Sequence, residues 1–568
     1  MKKLINDPGA AVREMLEGAA LVAPAQAVLA GETVVIRRTA ADPGGPVAVI
    51  SGGGSGHEPA HAGYVGEGML AAAIAGNVFT SPSVDDVLAG LRVVSGPQGV
   101  VMIVKNYTGD RLNFGLAAEL IRAEGIPVEI VVVADDVSLR DTVERRRRRG
   151  IAGTVLVHKI AGAAAAAGRN LADVAALARR AADSVGSVGV ALNGCTLPGA
   201  ARGGFDLADD EIELGLGIHG EPGVKRTLMK PADELVAIML KMILDDLPLA
   251  PQQPVALLVN GLGGTPAMEL DIVLRGALIQ LRARGVTVAR AWRGTLLSAL
   301  DMPGCSLSLM ALDDELVKFL DAPTDAPAWP GPGRLNQHPT HPGRPAPPSD
   351  NPAPAEAVGG SVALRRVASA AALALLAAEP QLTELDTRAG DGDLGLSMAR
   401  AARAIIELPD ADWRSPSGAL VAMGNALRRA VGGSSGPFYA TALLRAARQL
   451  GTQEIPSAAD WSVAFAAGVT AIMELGGARP GDRTMVDALV PAADSLAKSI
   501  ASGATVQEAV HACAAAASQG ASATASMPPR LGRSSYIGDR VLGIPDGGAV
   551  AVKIWLGAIS DALDRRAI

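Results

Sequence analysis

A proline-dense stretch divides this chain in two. Between residues 321 and 356 the sequence is crowded with proline, glycine, asparagine and aspartate and holds few large apolar side chains. Such a segment buries too little surface to offset the entropy of ordering it, and proline stiffens it toward an extended form. It reads as a linker between residues 1–320 and residues 357–568. The flanks follow different periodicities. Before the linker, short runs rich in valine and isoleucine (residues 47–50, 99–104, 128–133, 154–157, 188–192 and 255–259) alternate with helical stretches. Continuous apolar runs of that length predict strands of parallel or mixed sheets covered on both faces. About 320 residues is large for one sheet, so two α/β lobes are expected. After the linker, alanine- and leucine-rich segments at helical spacing dominate (residues 361–379, 418–431, 457–475, 485–502 and 506–526). They predict an all-α domain of about 210 residues assembled from amphipathic helices.

Composition narrows the function classes. Hydrophobic residues make up 49% of the 568, so large cores are available, and with only 3% aromatics those cores are built from aliphatic side chains. A net charge of −7 leaves no electrostatic footprint for nucleic acid or an anionic membrane. Cys195, Cys305 and Cys513 are scattered without metal-ligand spacing, which points to a reducing compartment. The opening Met-Lys-Lys-Leu-Ile-Asn-Asp-Pro-Gly meets a charge and a proline before any apolar core develops, so no signal peptide is expected. No uninterrupted apolar stretch of about 18 residues predicts a membrane span. A cytoplasmic protein is the expectation. The arginine run at 145–149 has no interleaved aromatics and reads as a solvated helix end.

The motifs carry more. Ser51-Gly-Gly-Gly-Ser-Gly-His-Glu-Pro-Ala-His61 follows the apolar run Pro46-Val-Ala-Val-Ile50 and reads as a glycine-rich turn after a buried strand. Such turns let backbone N–H groups approach a polar ligand. A nucleotide P-loop would end in lysine and a hydroxyl; this one ends in His57 and Glu58, which suggests acid–base work on a small molecule. A second loop histidine, His219, stands between glycines in Gly215-Leu-Gly-Ile-His-Gly-Glu-Pro-Gly223. Lys105-Asn-Tyr-Thr-Gly-Asp110 follows a predicted strand, where α/β sheets bind ligands.

Beyond the linker, Asp386-Thr-Arg-Ala-Gly-Asp391-Gly-Asp393 packs three carboxylates into eight residues. Their repulsion is costly without a cation, and an oxygen-only donor set suits Mg²⁺. Glycine-rich turns at residues 432–437, 476–485 and 532–536, with Asp546-Gly-Gly-Ala549, offer helix N-termini and hydroxyls to phosphates. Together they suggest a Mg-nucleotide site at one end of a helix bundle.

These motifs resemble the single-chain, ATP-dependent dihydroxyacetone kinases along essentially the whole chain. The resemblance implies an α/β sugar-binding domain of two lobes (DhaK-like) followed by an all-α eight-helix barrel (DhaL-like). It implies that His219 attacks the substrate carbonyl to form a hemiaminal, that His57 is the base and that Asp110 is its carboxylate partner. Gly54, Ser55, Gly56 and Lys105 correspond to substrate contacts. Asp386, Asp391 and Asp393 correspond to ligands of two Mg²⁺ ions. Leu394, Gly395, Leu396, Ser397, Ser434, Ser435, Gly476, Met485, Arg533, Asp546, Gly547 and Gly548 correspond to ATP contacts. Leu394 stands where relatives often carry threonine or histidine, and the linker is long. The resemblance further implies a homodimer, with domains exchanged between chains in some members, and a place in glycerol and carbohydrate metabolism. Neither nucleic acid nor membrane is an implied partner. Kinases of L- or D-erythrulose, a ketose-sensing regulator and an FAD-AMP lyase share the architecture and stay open. A phosphocarrier-dependent kinase is disfavoured, because its two domains are usually separate chains.

Overall fold

The structure is a computed structural model that describes residues 2–41, 45–200, 204–337, 340, 359–432 and 435–564. It divides into two compact units, Met1–Gly343 and Arg344–Ile568.

The first unit contains two six-stranded sheets. One is built from β1 (Gln26–Val28), β2 (Val34–Arg37), β3 (Ala48–Ser55), β4 (Ala72–Val78), β5 (Val100–Lys105) and β6 (Val128–Val133). The other holds β7 (Val185–Ala191), β8 (Glu211–Leu214), β9 (Lys225–Leu228), β10 (Val255–Gly261), β11 (Val288–Gly294) and β12 (Gly304–Ala311). The first sheet runs β1-β2-β4-β3-β5-β6, with β3 parallel to both neighbours. The second runs β11-β10-β12-β7-β8-β9 and is mostly antiparallel, with β10 and β11 parallel. Strand β5 shows why its sequence is continuously apolar. Val101 and Ile103 enter one core, while Met102 and Val104 enter the core on the opposite face with Val87, Leu91 and Phe114. A strand covered twice has no polar face to alternate with.

Two expectations need correction. Residues 154–157, read as a strand, are the first turn of helix Thr154–Ala166. Every residue from Thr154 to Ala165 in it is buried, and its core includes residues of both sheets. A helix enclosed on all sides is apolar all round, so a four-residue window cannot distinguish it from a buried strand. Gly52, Gly53 and Gly54 are also not a turn after a strand: β3 continues through Ser55. A Cβ at Gly54 would lie 2.6 Å from the Thr80 nitrogen, so glycine lets this strand lie against the chain that follows β4.

The start of the proline-rich stretch packs on the first unit. Asp321 pairs with Arg290 at 2.5 Å, Ala328 N–H donates to the Gly63 carbonyl, and Trp329 lies 5.0 Å from Trp292. Residues 338–339 and 341–356 of that stretch lie outside the described residues.

The second unit is helical. Gly359–Ala377, Leu394–Ile406, Pro416–Ala430, Ser435–Leu450, Ala458–Gly476, Val486–Ala501, Val506–Ala523 and Gly547–Asp564 each pack on the next, and the last returns to the first. This closed ring of eight is the barrel; a ninth helix, Glu379–Ala389, lies beside it. Sequence periodicity had indicated five of these segments. Glu379–Ala389, Leu394–Ile406, Ser435–Leu450 and Gly547–Asp564 begin at proline, glycine or loop motifs that obscure their helical pattern. Ala458–Gly476 is the one helix among the described residues long and apolar enough to cross a bilayer, and it packs as a stave of this ring.

Candidate active site

The parallel strands β3 and β5 end side by side, and the chain leaving them carries the polar groups. Lys105 closes β5 and is completely buried. Its Nζ donates to His61 Nε2 at 2.7 Å. Because the ammonium only donates, Nε2 is the acceptor and the His61 proton sits on Nδ1, 3.3 Å from Ser51 Oγ. Ser51 passes its own proton to the Ile103 carbonyl at 2.7 Å. Asp110, in the first turn of helix Thr108–Ala123, accepts from Ser81 Oγ at 2.5 Å through Oδ1. A Cβ on Gly53 would sit 2.5 Å from Lys105 Nζ and 3.4 Å from Asp110 Oδ2. The space between the cation and the carboxylate therefore exists because residue 53 has no side chain. Burial lowers the Lys105 pKa, and Asp110 opposes that shift.

His57 is fully buried, and its Nδ1 donates to the Ser298 carbonyl at 2.9 Å. A carbonyl only accepts, so the proton is on Nδ1 and the Nε2 lone pair faces inward. That Nε2 is buried without a hydrogen-bond partner. Burial, then the charges of Lys105 and His219, hold His57 well below the usual imidazole value, so the ring is neutral near pH 7. His219 arrives from the other sheet, in the loop after β8. Its ring lies 4.8 Å from His57, 5.4 Å from Phe79 and 4.5 Å from Tyr107. Burial lowers its pKa too, against the opposing pull of Glu221. Two neutral imidazoles thus share one aromatic-walled space with a cation and a carboxylate.

Of the residues read from sequence, His57, Lys105, Asp110 and His219 converge here. The Ser55 hydroxyl does not face the site: it donates to the Gly76 carbonyl at 2.7 Å, leaving its backbone as the available group. Gly56 takes a left-handed φ of 95° and donates its N–H to Glu58. His61, Ser81 and Ser298 were not singled out. His61 was visible as the second histidine of its motif, whereas Ser298 contributes a backbone carbonyl, which no side-chain pattern announces. The arginine run is also corrected. Arg148 pairs with Asp246 at 2.7 Å, and Arg149 is mostly buried against Asp136.

In the helical unit, Asp386 near the end of Glu379–Ala389 meets Asp391 and Asp393 in the loop before Leu394–Ile406. One oxygen from each lies within 4.8 Å of the others. Burial, then repulsion from Asp391 and Asp393, raises the Asp386 pKa, and its Oδ2 accepts the Leu394 N–H at 3.1 Å. Three hard oxygen donors, partly open to solvent, fit Mg²⁺ with water or phosphate completing the shell. Alternate staves of an up-and-down ring begin at the same end, which gathers the N-termini of the helices starting at Leu394, Ser435, Val486 and Gly547. A Cβ on Gly547 would lie 2.6 Å from Leu394 Cδ2, and one on Gly548 3.5 Å from Met485 Cβ. Four positive dipole ends beside three carboxylates form a place for an anion bridged by a cation. Asp546 caps Ala549 N–H at 2.8 Å, and burial pushes its pKa up to about 6. Ser434 and the Arg533 side chain lie outside what the structure describes.

Comparisons with known proteins agree with this division. Residues 17–328 match the Dak1 domain and residues 388–561 the DAK2 domain. A triokinase/FMN cyclase from Homo sapiens is 43% identical over 99% of both chains. A D-erythrulose kinase from Mycolicibacterium smegmatis is 38% identical over 99% of both. The crystal structure of the dihydroxyacetone kinase from C. freundii in complex with AMP-PNP and Mg²⁺ is 35% identical, covers 99% of both chains and gives a TM-score of 0.63.

Proposed function

The chain belongs to the single-chain dihydroxyacetone kinase family, whose named members are phosphotransferases, and from that premise we propose that it transfers the γ-phosphoryl group of ATP to the terminal hydroxyl of dihydroxyacetone. The products are dihydroxyacetone phosphate and ADP. The observation that carries this reading is the pair of neutral histidines, His57 and His219, 4.8 Å apart beside Lys105 and Asp110.

A neutral imidazole presents a lone pair, which attack on a carbonyl carbon requires. The unprotonated ring nitrogen of His219 bonds to the ketone carbon, and the C=O π pair moves to oxygen. That oxygen takes up a proton and the other ring nitrogen gives one up, leaving a neutral hemiaminal. Glycerol has no carbonyl and is not captured this way. The capture fixes a terminal hydroxyl, and alignment is the larger part of what phosphoryl transfer needs from a protein. His57 Nε2, unpartnered and buried, takes the hydroxyl proton as the oxygen attacks phosphorus. Asp110, Lys105 and the backbone of Gly54, Ser55 and Gly56 hold the remaining oxygens. Two Mg²⁺ ions held by Asp386, Asp391 and Asp393 neutralise phosphate charge when bound. Around them, the backbone and hydroxyls of residues 394–397, Ser434, Ser435, Gly476, Met485, Arg533 and residues 546–548 hold the nucleotide. The working unit is a homodimer, and the part of residues 321–356 beyond Trp329 serves as the linker.

A second reading is a kinase of L- or D-erythrulose, one hydroxymethyl group longer; the 38% identity to a D-erythrulose kinase favours it. A coupled ADP-release assay separates the two, comparing dihydroxyacetone, both erythruloses, glyceraldehyde and glycerol, with and without Mg²⁺. The first reading requires the highest kcat/KM with dihydroxyacetone and none with glycerol. A higher kcat/KM for an erythrulose replaces it with the second. Intact-mass measurement of the ketose adduct, present in the wild-type chain and absent in His219→Ala, tests the hemiaminal.

A further inference from the structure

His219 belongs to a different sheet from the other ionisable groups of the ketose site. His57, His61, Lys105 and Asp110 follow or close strands of the first sheet, and His219 follows β8 of the second. Covalent capture demands that the imidazole meet a carbonyl carbon at bonding distance and along one direction, so something must fix the loop 215–223 against the first sheet.

Arg149 does so. Its guanidinium binds the Asp136 carboxylate with Nε at 2.8 Å and Nη2 at 2.7 Å. Asp136 is completely buried and sits just beyond β6, where the chain leaves the first sheet and bridges to Ser187 of β7. The same Nη2 donates to the Gly215 carbonyl at 2.9 Å, at the start of the histidine loop. Nη1 reaches Glu221 Oε1 at 3.4 Å, and the other oxygen of Glu221 accepts the backbone N–H of His219 at 2.8 Å. Ser138 adds a parallel strut, donating to Asp136 at 2.6 Å, with its oxygen 3.2 Å from Gly215 O. The loop is shaped to admit the cation: a Cβ on Gly217 would overlap Glu221 Oε1 and lie 2.9 Å from Arg149 Nη1. Tyr107, whose ring makes an edge-on contact with that of His219, is partly buried beside it.

We infer that Arg149 is a positioning residue for the nucleophile: one guanidinium ties Asp136, in the segment that crosses from the first sheet to the second, to both ends of the His219 loop and sets how His219 meets a ketose. A planar fork reaches three acceptors that a lysine ammonium at that place cannot span together. The inference rests on the ketose-kinase reading above.

The test uses the full-length protein with dihydroxyacetone and Mg-ATP, measuring adduct fraction by intact mass, KM for each substrate, kcat and the melting temperature. Arg149→Met lowers the adduct fraction at a fixed ketose concentration and raises the ketose KM by roughly 10–100-fold, the range of one lost charge-assisted contact. KM for ATP stays at the wild-type value. Arg149→Lys recovers part of the loss. Glu221→Gln, at a partly exposed side chain, shows a smaller loss in the same direction and carries the test if Arg149→Met does not fold. The double variant is no worse than Arg149→Met alone, because both act through one loop. Wild-type adduct formation in Arg149→Met and Glu221→Gln, or losses that multiply in the double variant, overturns the inference while leaving the kinase reading standing. No adduct in the wild-type chain with any ketose overturns both.

Discussion

The two halves of this molecule solve the problem of grouped polar side chains in opposite ways. In the α/β unit the groups are buried and each is tied to a named partner: Lys105 to His61, His61 to Ser51, Asp110 to Ser81, His57 to Ser298. Protonation states follow from those ties. In the helical unit Asp386, Asp391 and Asp393 are gathered with like charges facing one another, and Asp391 and Asp393 are exposed. That arrangement suits a cation, whereas in the first these ties are in place before ligand arrives and His57 Nε2 is left open. The contrast teaches that one group of side chains is preorganised by its own hydrogen bonds, while the other gathers charge of one sign.

The largest expected effect breaks the contrast at its charged side. Asp391→Asn lowers kcat by roughly 10³-fold or more, since a metal supplies several kcal/mol to the transition state. Ketose adduct formation in the other unit stays at the wild-type level. Steady-state kinetics and intact mass measure the two, and loss of both would show that the aspartates serve folding. Next, His57→Ala lowers kcat by roughly 10²–10⁴-fold, the span of a general base, with the adduct retained. A near-wild-type rate in the ADP-release assay rules out that role. Smaller again, His61→Leu leaves Lys105 without its acceptor and raises the ketose KM by roughly tenfold, the size of one charge-assisted hydrogen bond. His61→Gln, which keeps an acceptor, recovers most of the affinity; equal damage from both variants contradicts the assignment.

The smallest effect concerns stability and has opposite signs in the two units. Burial holds His57, His61 and His158 well below the ordinary imidazole value, His158 at about 3. The unfolded chain binds protons near pH 6.5 that these three folded histidines refuse. Asp135, raised to about 6 by burial, works the other way, but three histidines outweigh it, so this unit loses stability as pH falls below about 6.5. Asp546 titrates at about 6 when folded. The folded helical unit keeps a proton that the unfolded chain releases near pH 4, so it gains stability as pH falls from about 6 toward 4. Between pH 7 and pH 5 each group contributes on the order of 1 kcal/mol. Hydrogen exchange resolved by peptide, without Mg²⁺, reads the units separately; shifts of the same sign in both would refute the argument.

Much of this was legible in the sequence, for identifiable reasons. Strands buried on both faces announce themselves by unbroken apolar runs, and residues 128–133 coincide with β6. The acid triad was legible because three carboxylates beside glycines have no packing use. Helix Thr154–Ala166 was misread because total burial erases periodicity. The arginine run was misread for a different reason. Arg146 is exposed, whereas Arg149, three residues on, is pinned between Asp136 and Glu221, both far from it in a one-dimensional view. Short β1, β2, β8 and β9 left no signal, since three or four residues carry too little pattern.

The hydrogen bond from His57 to Ser298 joins residues 241 positions apart, one following a strand of each sheet. The glycine–histidine string of residues 51–61 is therefore not a portable cassette. Copied into another scaffold with its spelling intact, it would carry an imidazole with an unassigned tautomer and no committed lone pair. For this fold, inheritance of the motif and inheritance of the chemistry are separate events, and the second requires both sheets to be inherited as one body.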